Sequence, residues 1–124
     1  MEITVYYEDT DAQGVVYHAN YLKYFERARS SWLMQQKEHW DAMCANKEAF
    51  VIKSLQVDFK SPARLGDVLQ VKSSLKIMRP TLALWHQSIY KNEDCLCQGT
   101  LEMAYINAAG KPRPLPTYIE AYCV

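Results

Sequence analysis

The stretch VYYEDTDAQGVVYHANYLKYFERAR, residues 5 to 29, decides how the rest of the chain is read. Residues 3 to 7 (ITVYY) are β-branched and aromatic and predict a first strand, after which EDTDAQG supplies turn chemistry around Gly14. The period then changes. From Asn20 to about Cys44 there is neither proline nor glycine, and Tyr21, Phe25, Ala28 and Trp32 recur at four- and three-residue steps, as one face of a helix does. Asn20 is the predicted N-cap, and Glu26, Arg27, Arg29, Lys37 and Glu38 give this central helix its polar positions.

Working outward, the remainder reads as strands: 49 to 59 (AFVIKSLQVDF), 67 to 78 (DVLQVKSSLKIM), 81 to 91 (TLALWHQSIYK) and 95 to 107 (CLCQGTLEMAYIN). The connections SPARLG, MRPT, KNED and AAGKPRP hold the prolines, glycines and polar residues expected of turns. Because they are short, they favour antiparallel neighbours, since a parallel crossover needs a dozen or more residues. The expectation is a single α+β domain over residues 1 to 124, with one helix packed on one face of an antiparallel sheet. Such a sheet leaves edges and one face uncovered, which predicts a homo-oligomer.

Composition narrows the function classes. Fourteen basic and fourteen acidic side chains cancel, and neither sign forms a block, which disfavours a nonspecific nucleic-acid or anionic-membrane binder. No apolar run approaches the roughly 18 residues of a membrane span. The start, MEITVYYEDTD, lacks the basic stretch and apolar run of a signal peptide, so a cytoplasmic, reducing location is expected. Cys44, Cys95, Cys97 and Cys123 are accordingly read as free thiols, and the C-x-C pair without further ligands falls short of a metal site.

Chemistry concentrates between the first strand and the helix, where Glu8, Asp9, Asp11, Gly14, Tyr17, His18 and Asn20 are gathered. Three acids this close repel each other in a dry core, so a solvated turn in which Asp9 or Asp11 caps the backbone is the ordinary reading. A helix N-terminus, however, offers free N–H groups and a positive dipole end suited to polarising a carbonyl oxygen.

The quoted stretch, with its D-x-D-x-x-G-x-V-Y-H-x-N-Y turn, resembles the signature of hotdog-fold acyl-CoA thioesterases of the Tol-Pal-associated and 4-hydroxybenzoyl-CoA types. Weaker similarity continues through FVIKSLQVDFKSPARLGD, MRPTLALWHQ and GKPRPLP, which extends it over essentially the whole chain. The resemblance implies a five-stranded antiparallel sheet wrapped around one long helix, assembled as a homodimer or homotetramer with active sites at the dimer interface. It also implies hydrolysis of an acyl-CoA, of short to medium aliphatic chain by analogy, to free acid and coenzyme A. Asp11 takes the place of the nucleophile or general base. His18 is the second catalytic position, its backbone N–H at the helix start polarising the thioester carbonyl. Gly14 keeps the turn open, while Tyr17, Asn20 and Tyr21 shape and brace the substrate site. Coenzyme A is part of the substrate, and no metal or redox cofactor is required.

Glu26, on the same helix, is a second catalytic candidate, with an ion pair to Arg27 or Arg29 as its structural alternative. Lys60, Arg64 and Arg79, with Lys111 and Arg113, are the basic residues in or beside loops that could meet coenzyme A phosphates. Pro80 departs from the glycine or small residue of the family's turn and puts the Arg79 loop in question. His39 and His86 read as structural. The competing functions are a thioesterase for acyl groups on acyl carrier protein and a noncatalytic acyl-ligand or scaffold protein.

Overall fold

A computed structural model describes residues 1–122, so Cys123 lies outside the described residues. The chain enters along β1 (Glu2–Thr4), makes one 3-10 turn at Tyr7–Asp9, and reaches α1 (His18–Gln35) and α2 (Lys37–Ala45). Four long strands follow: β2 (Ala49–Phe59), β3 (Val68–Arg79), β4 (Leu82–Lys91) and β5 (Asp94–Ile106). A two-residue β6 (Pro112–Arg113) and a terminal 3-10 segment, Thr117–Tyr122, complete it.

The strands form one antiparallel sheet in the order β1-β3-β4-β5-β2, with β6 beside β5. The two hairpins β3-β4 and β4-β5 follow the short-connection expectation. β2 departs from it, because it pairs with β5 rather than β3 and the connection from Lys60 to Asp67 crosses the end of the sheet. Register shifts at Ile52/Ser54, Ile77/Arg79 and Ile89/Tyr90 each insert a bulge, which bends and twists a strand and curls the sheet around α1.

Alternation sets the two faces. Leu69, Val71, Leu75, Ala83, Trp85, Ile89, Cys97, Leu101 and Met103 are buried on the helix side against Tyr21, Tyr24, Phe25 and Ala28 of α1. The tightest approach is at Gly99 of β5, where an added Cβ would stand 3.0 Å from the Phe25 ring and 3.3 Å from Val57. One polar group joins this core. Gln87 of β4 is fully buried, its Nε2 donating to Phe25 O at 3.0 Å and Ser73 Oγ at 2.9 Å, while its Oε1 accepts from the half-buried Arg29 at 2.7 Å.

Two helix expectations need correction. Tyr17, not Asn20, is the N-cap of α1, and Asn20 falls inside the first turn. The single helix to Cys44 is interrupted at Gln36 (φ −85°, ψ 62°), whose N–H bonds Leu33 O at 3.0 Å. Beyond the bend, Trp40 and Met43 of α2 line a cleft with Leu33 and the first residues of β2. Among the described residues no helix is long and apolar enough to cross a membrane.

Candidate active site

The segment between β1 and α1 is a small closed structure held by backbone hydrogen bonds. Thr10 and Val16 bridge across it, Asp11 N–H bonds Val15 O at 2.9 Å, and Gly14 N–H returns to Asp11 O at 3.0 Å. Gly14 adopts φ +76°, a left-handed conformation that L side chains rarely tolerate, so the turn requires this glycine. Val15 in turn bridges Arg64, and Val16 N–H bonds Ala63 O at 2.8 Å, tying the turn to the connection between β2 and β3.

Within this turn the two aspartates point to different environments. Asp11 is exposed; its Oδ1 accepts the Gln13 N–H at 2.8 Å, and its Oδ2 accepts no hydrogen bond among the described residues. Asp9 is 5% exposed and accepts the Tyr6 N–H at 2.9 Å through Oδ2. Asp9 O receives both Tyr17 N–H at 2.9 Å and Asn20 Nδ2 at 2.8 Å. The same carboxylate lies beside the buried Tyr24 hydroxyl, which meets no partner at full hydrogen-bond geometry among the described residues. Burial, then the Asp9 charge, pushes that phenol's pKa well up.

The first N–H groups of a helix have no partner in the preceding turn of helix. In α1 the Asn20 N–H is taken by Tyr17 O at 2.8 Å, whereas those of His18 and Ala19 meet no acceptor among the described residues. The His18 ring is exposed, 4.6 Å from the Tyr17 ring and 5.9 Å from Phe59. Together with Val16, Tyr21, Lys60, Ser61 and Pro62, His18 and Phe59 line an open cleft of about 250 Å³. Tyr21 closes its floor: its hydroxyl accepts the Ala63 N–H at 3.1 Å, and burial raises its pKa against the opposing effect of that bond.

The structure thus brings Gly14, Tyr17, His18, Asn20, Tyr21, Lys60 and Arg64 to one end of the molecule with Asp11. Asp11 stands on the turn beside the cleft rather than in its lining. Lys60 Nζ reaches Gln98 Oε1 at 3.3 Å, and Arg64 is exposed with its N–H on Asp67 Oδ2. Arg79 is not brought there. The register aligns Phe59, Cys97, Ile89 and Val71 at the cleft end, and Arg79 lies eight positions farther along β3, roughly 25 Å away at about 3.3 Å per residue. Lys111 and Arg113, beyond the other end of β5, are equally remote within this chain.

Glu26 is about 12 Å from His18 along the helix axis at 1.5 Å per residue. It borders a second cleft, of about 220 Å³, with Arg29, Ser30, Trp40 and Phe50. Its carboxylate accepts from Ser30 Oγ; neither Arg27 nor Arg29 forms a direct ion pair with it among the described residues. His39 stacks on Tyr118 at 4.1 Å, and His86 meets Thr100 Oγ1 at 3.5 Å, both away from the Asp11 turn. Cys44, Cys95 and Cys97 are free thiols, and burial pushes Cys97 up to about 12.

Sequence reasoning missed two contributors. Phe59 enters the sequence reading only as the last residue of the 49 to 59 strand, yet it is half exposed on the edge strand and forms a wall of the cleft. Asp9 reads as a solvated acid, and no periodic signal marks its burial.

Residues 13–98 match the thioesterase superfamily profile. The acyl-CoA thioesterase YbgC of Helicobacter pylori is 46% identical over 103 residues, covering 82% of this chain and 71% of that protein. The acyl-CoA thioester hydrolase YbgC of Escherichia coli is 38% identical over 128 residues, covering 96% and 90%. A probable thioesterase from Bartonella henselae superposes with a TM-score of 0.87 at 33% identity, over 94% of this chain and 97% of that one. Profile, sequence relatives and the sheet curled around α1 agree: the chain belongs to the thioesterase superfamily, with the hotdog fold.

Proposed function

We propose that this protein is an acyl-CoA thioesterase, hydrolysing an acyl-CoA to the free acid and coenzyme A with Asp11 as its catalytic carboxylate. The observation that carries the site assignment is an exposed carboxylate on a glycine turn, clamped beside a helix start whose His18 and Ala19 N–H groups are unengaged. An aspartate there either attacks the thioester carbonyl or takes a proton from a water that does. The carbonyl oxygen gains negative charge as the tetrahedral species forms, and the His18 N–H at the positive end of α1 is the donor assigned to it. Removing one such donor in other enzymes costs about 2.7 to 4 kcal/mol. Collapse then expels the coenzyme A thiolate. On the general-base route this leaves the free acid, and the proton Asp11 took from water passes to the thiolate; direct attack leaves an acyl–Asp11 anhydride that water hydrolyses to the acid and Asp11, its proton completing the thiol.

The remaining assignments follow the same geometry. The cleft of about 250 Å³ lies just below the roughly 300 to 1,000 Å³ usual for ligand pockets and suits a short to medium acyl group. Lys60 and Arg64, at its rim, are placed to meet coenzyme A phosphates, whereas Arg79 would reach a site only from another subunit. A homodimer or homotetramer acting in the cytoplasm fits a cleft that is open on the side of β2, whose free edge carries Leu55 and Phe59 at 47% and 50% exposure.

The test is release of coenzyme A thiol from a panel of acyl-CoAs by the parent and by Asp11→Asn in the same oligomeric state. Turnover by the parent with a loss of about a hundredfold or more in the variant is the expected result for removing a base or nucleophile. Equal rates would remove Asp11 and turn attention to Glu26. Turnover confined to acyl carrier protein thioesters would change the carrier, and saturable binding without turnover would make the chain a noncatalytic acyl binder.

A further inference from the structure

We infer that Asp9 is a positioning residue for this reaction: with Asn20 as its clasp, it fixes the turn bearing Asp11 against the first turn of α1. The inference rests on the thioesterase reading of the Asp11 site and adds a residue to which that reading gives no part. Asp9 joins the strand exit to the helix entry through three hydrogen bonds. Its Oδ2 takes the Tyr6 N–H at 2.9 Å, holding the strand exit, and its carbonyl takes Tyr17 N–H at 2.9 Å and Asn20 Nδ2 at 2.8 Å, holding the helix entry. Asp9 and Asn20 are both buried, at 5% and 7% exposure, so neither bond is exchanged readily for water. Two residues on, Asp11 begins the turn that closes through its own N–H and that of Gly14.

The clasp is therefore the short path between the attacking group and the carbonyl-polarising group. His18 belongs to the rigid helix, Asp11 to an exposed turn, and the double acceptor at Asp9 O sets their separation. A misplacement of about 1 Å between reacting groups can lower a rate on the order of a hundredfold. The Asp9 charge is not needed at the reacting centre. It faces away from solvent, caps a backbone N–H, and lies near the positive end of α1, where a negative charge is favoured. An asparagine there keeps an acceptor for Tyr6 N–H and a polar group beside the Tyr24 hydroxyl.

The experiment compares Asp9→Asn, Asp9→Ala, Asn20→Ala and Asp11→Asn for kcat, KM, thermal midpoint and amide hydrogen exchange at residues 10 to 17, each in the parent's oligomeric state. Asp9→Asn is expected within about threefold of the parent kcat. Asn20→Ala, which removes a donor to Asp9 O, is expected to lose roughly ten- to a hundredfold in kcat per folded molecule, and Asp9→Ala, which keeps that carbonyl and loses only the Oδ2 acceptor for Tyr6 N–H, about three- to tenfold, both with KM within about twofold and faster exchange at the Asp11 and Gly14 amides. A purely structural residue would lower the thermal midpoint without moving kcat per folded molecule. If Asn20→Ala fails to fold, Asn20→Ser, which keeps a hydroxyl donor in the first turn, is expected to show a smaller loss of the same kind. Parent kcat or parent exchange in both Asn20→Ala and Asp9→Ala, with Asp11→Asn inactive, overturns the clasp alone. Asp9→Asn as inactive as Asp11→Asn makes Asp9 a chemical participant and overturns the positioning role. Parent activity in Asp11→Asn instead overturns the reading of the site on which the clasp depends.

Discussion

Asp67 shows how a single residue ties the floor of the site to the sheet. Its Oδ2 accepts the Arg64 N–H at 2.8 Å, and its Oδ1 pairs with Lys91 Nζ at 2.9 Å. Burial acts to raise its pKa, but the Arg64 N–H and the Lys91 ammonium prevail and hold it below the ordinary 3.8. A folded-state pKa below the unfolded one gives stabilisation that is complete above the unfolded value and disappears as pH falls through the folded value. Asp67→Asn is therefore expected to be less stable than the parent at pH 7, with the difference shrinking between about pH 5 and pH 2. Urea titrations of both proteins across that window check it; a gap independent of pH would show that the carboxylate's charge is not the cause. The sequence alone gives Asp67 only as the residue after a turn glycine, because its partner Lys91 is distant in the chain. Asp11, Gly14 and His18 were legible for the opposite reason: turn chemistry and helix entry are local, and the resemblance rests on those same residues. Asp9 and Asn20 were legible as polar residues but not as a buried pair, since burial in an irregular segment leaves no period to read.

At the scale of elements, the strands were readable because each alternates between a polar outer face and an apolar inner one, while the pairing of β2 with β5 was not. Local turn chemistry identifies hairpins, but it is silent about a connection that crosses the end of a sheet. The break at Gln36 was hidden as well, because MQQKEH contains good helix formers and no proline or glycine; beyond it Trp40 and Met43 of α2 line a cleft together with the first residues of β2. Gly99 is the element-scale feature with the sharpest consequence. A methyl there would press on Phe25 at 3.0 Å and on Val57 at 3.3 Å, forcing α1 away from β5 or Phe25 off its rotamer. Overpacking of this kind typically costs about 1 to 3 kcal/mol, so Gly99→Ala is expected to lower unfolding free energy by roughly that much. Shortening the opposing ring by Phe25→Leu should make the double variant more stable than the sum of the two single losses predicts, as coupled neighbours do. Strict additivity in urea unfolding would show that the contact does not set the spacing between helix and sheet.

At the scale of the whole molecule, the question is what covers β2. The strand extends from Ala49 to Phe59 and among the described residues pairs only on its β5 side, leaving a long row of backbone groups open to another strand. Leu55 pairs directly with the buried Leu101, and Phe59 with the buried Cys97, so both side chains share the helix face of the sheet and yet are half exposed. Phe59 lines the cleft that contains His18, and Leu55 lies four residues back along the same face. A second copy laid edge to edge along β2 would bury this strip, close the open side of the cleft, and bring a second set of side chains beside Asp11. The parent is accordingly expected at 28.8 kDa, twice the 14.4 kDa chain, or a multiple of that mass. Leu55→Lys, which places a charge in the strip without removing a buried core residue, should shift it toward 14.4 kDa and lower kcat/KM together. Light scattering coupled to size exclusion, run on the fractions then assayed, reads both quantities at once. A variant that remains at the parent mass would move the interface away from this edge. One that becomes monomeric but keeps full activity would show instead that a single chain encloses a sufficient site, with Asp11 and His18 needing nothing from a neighbour.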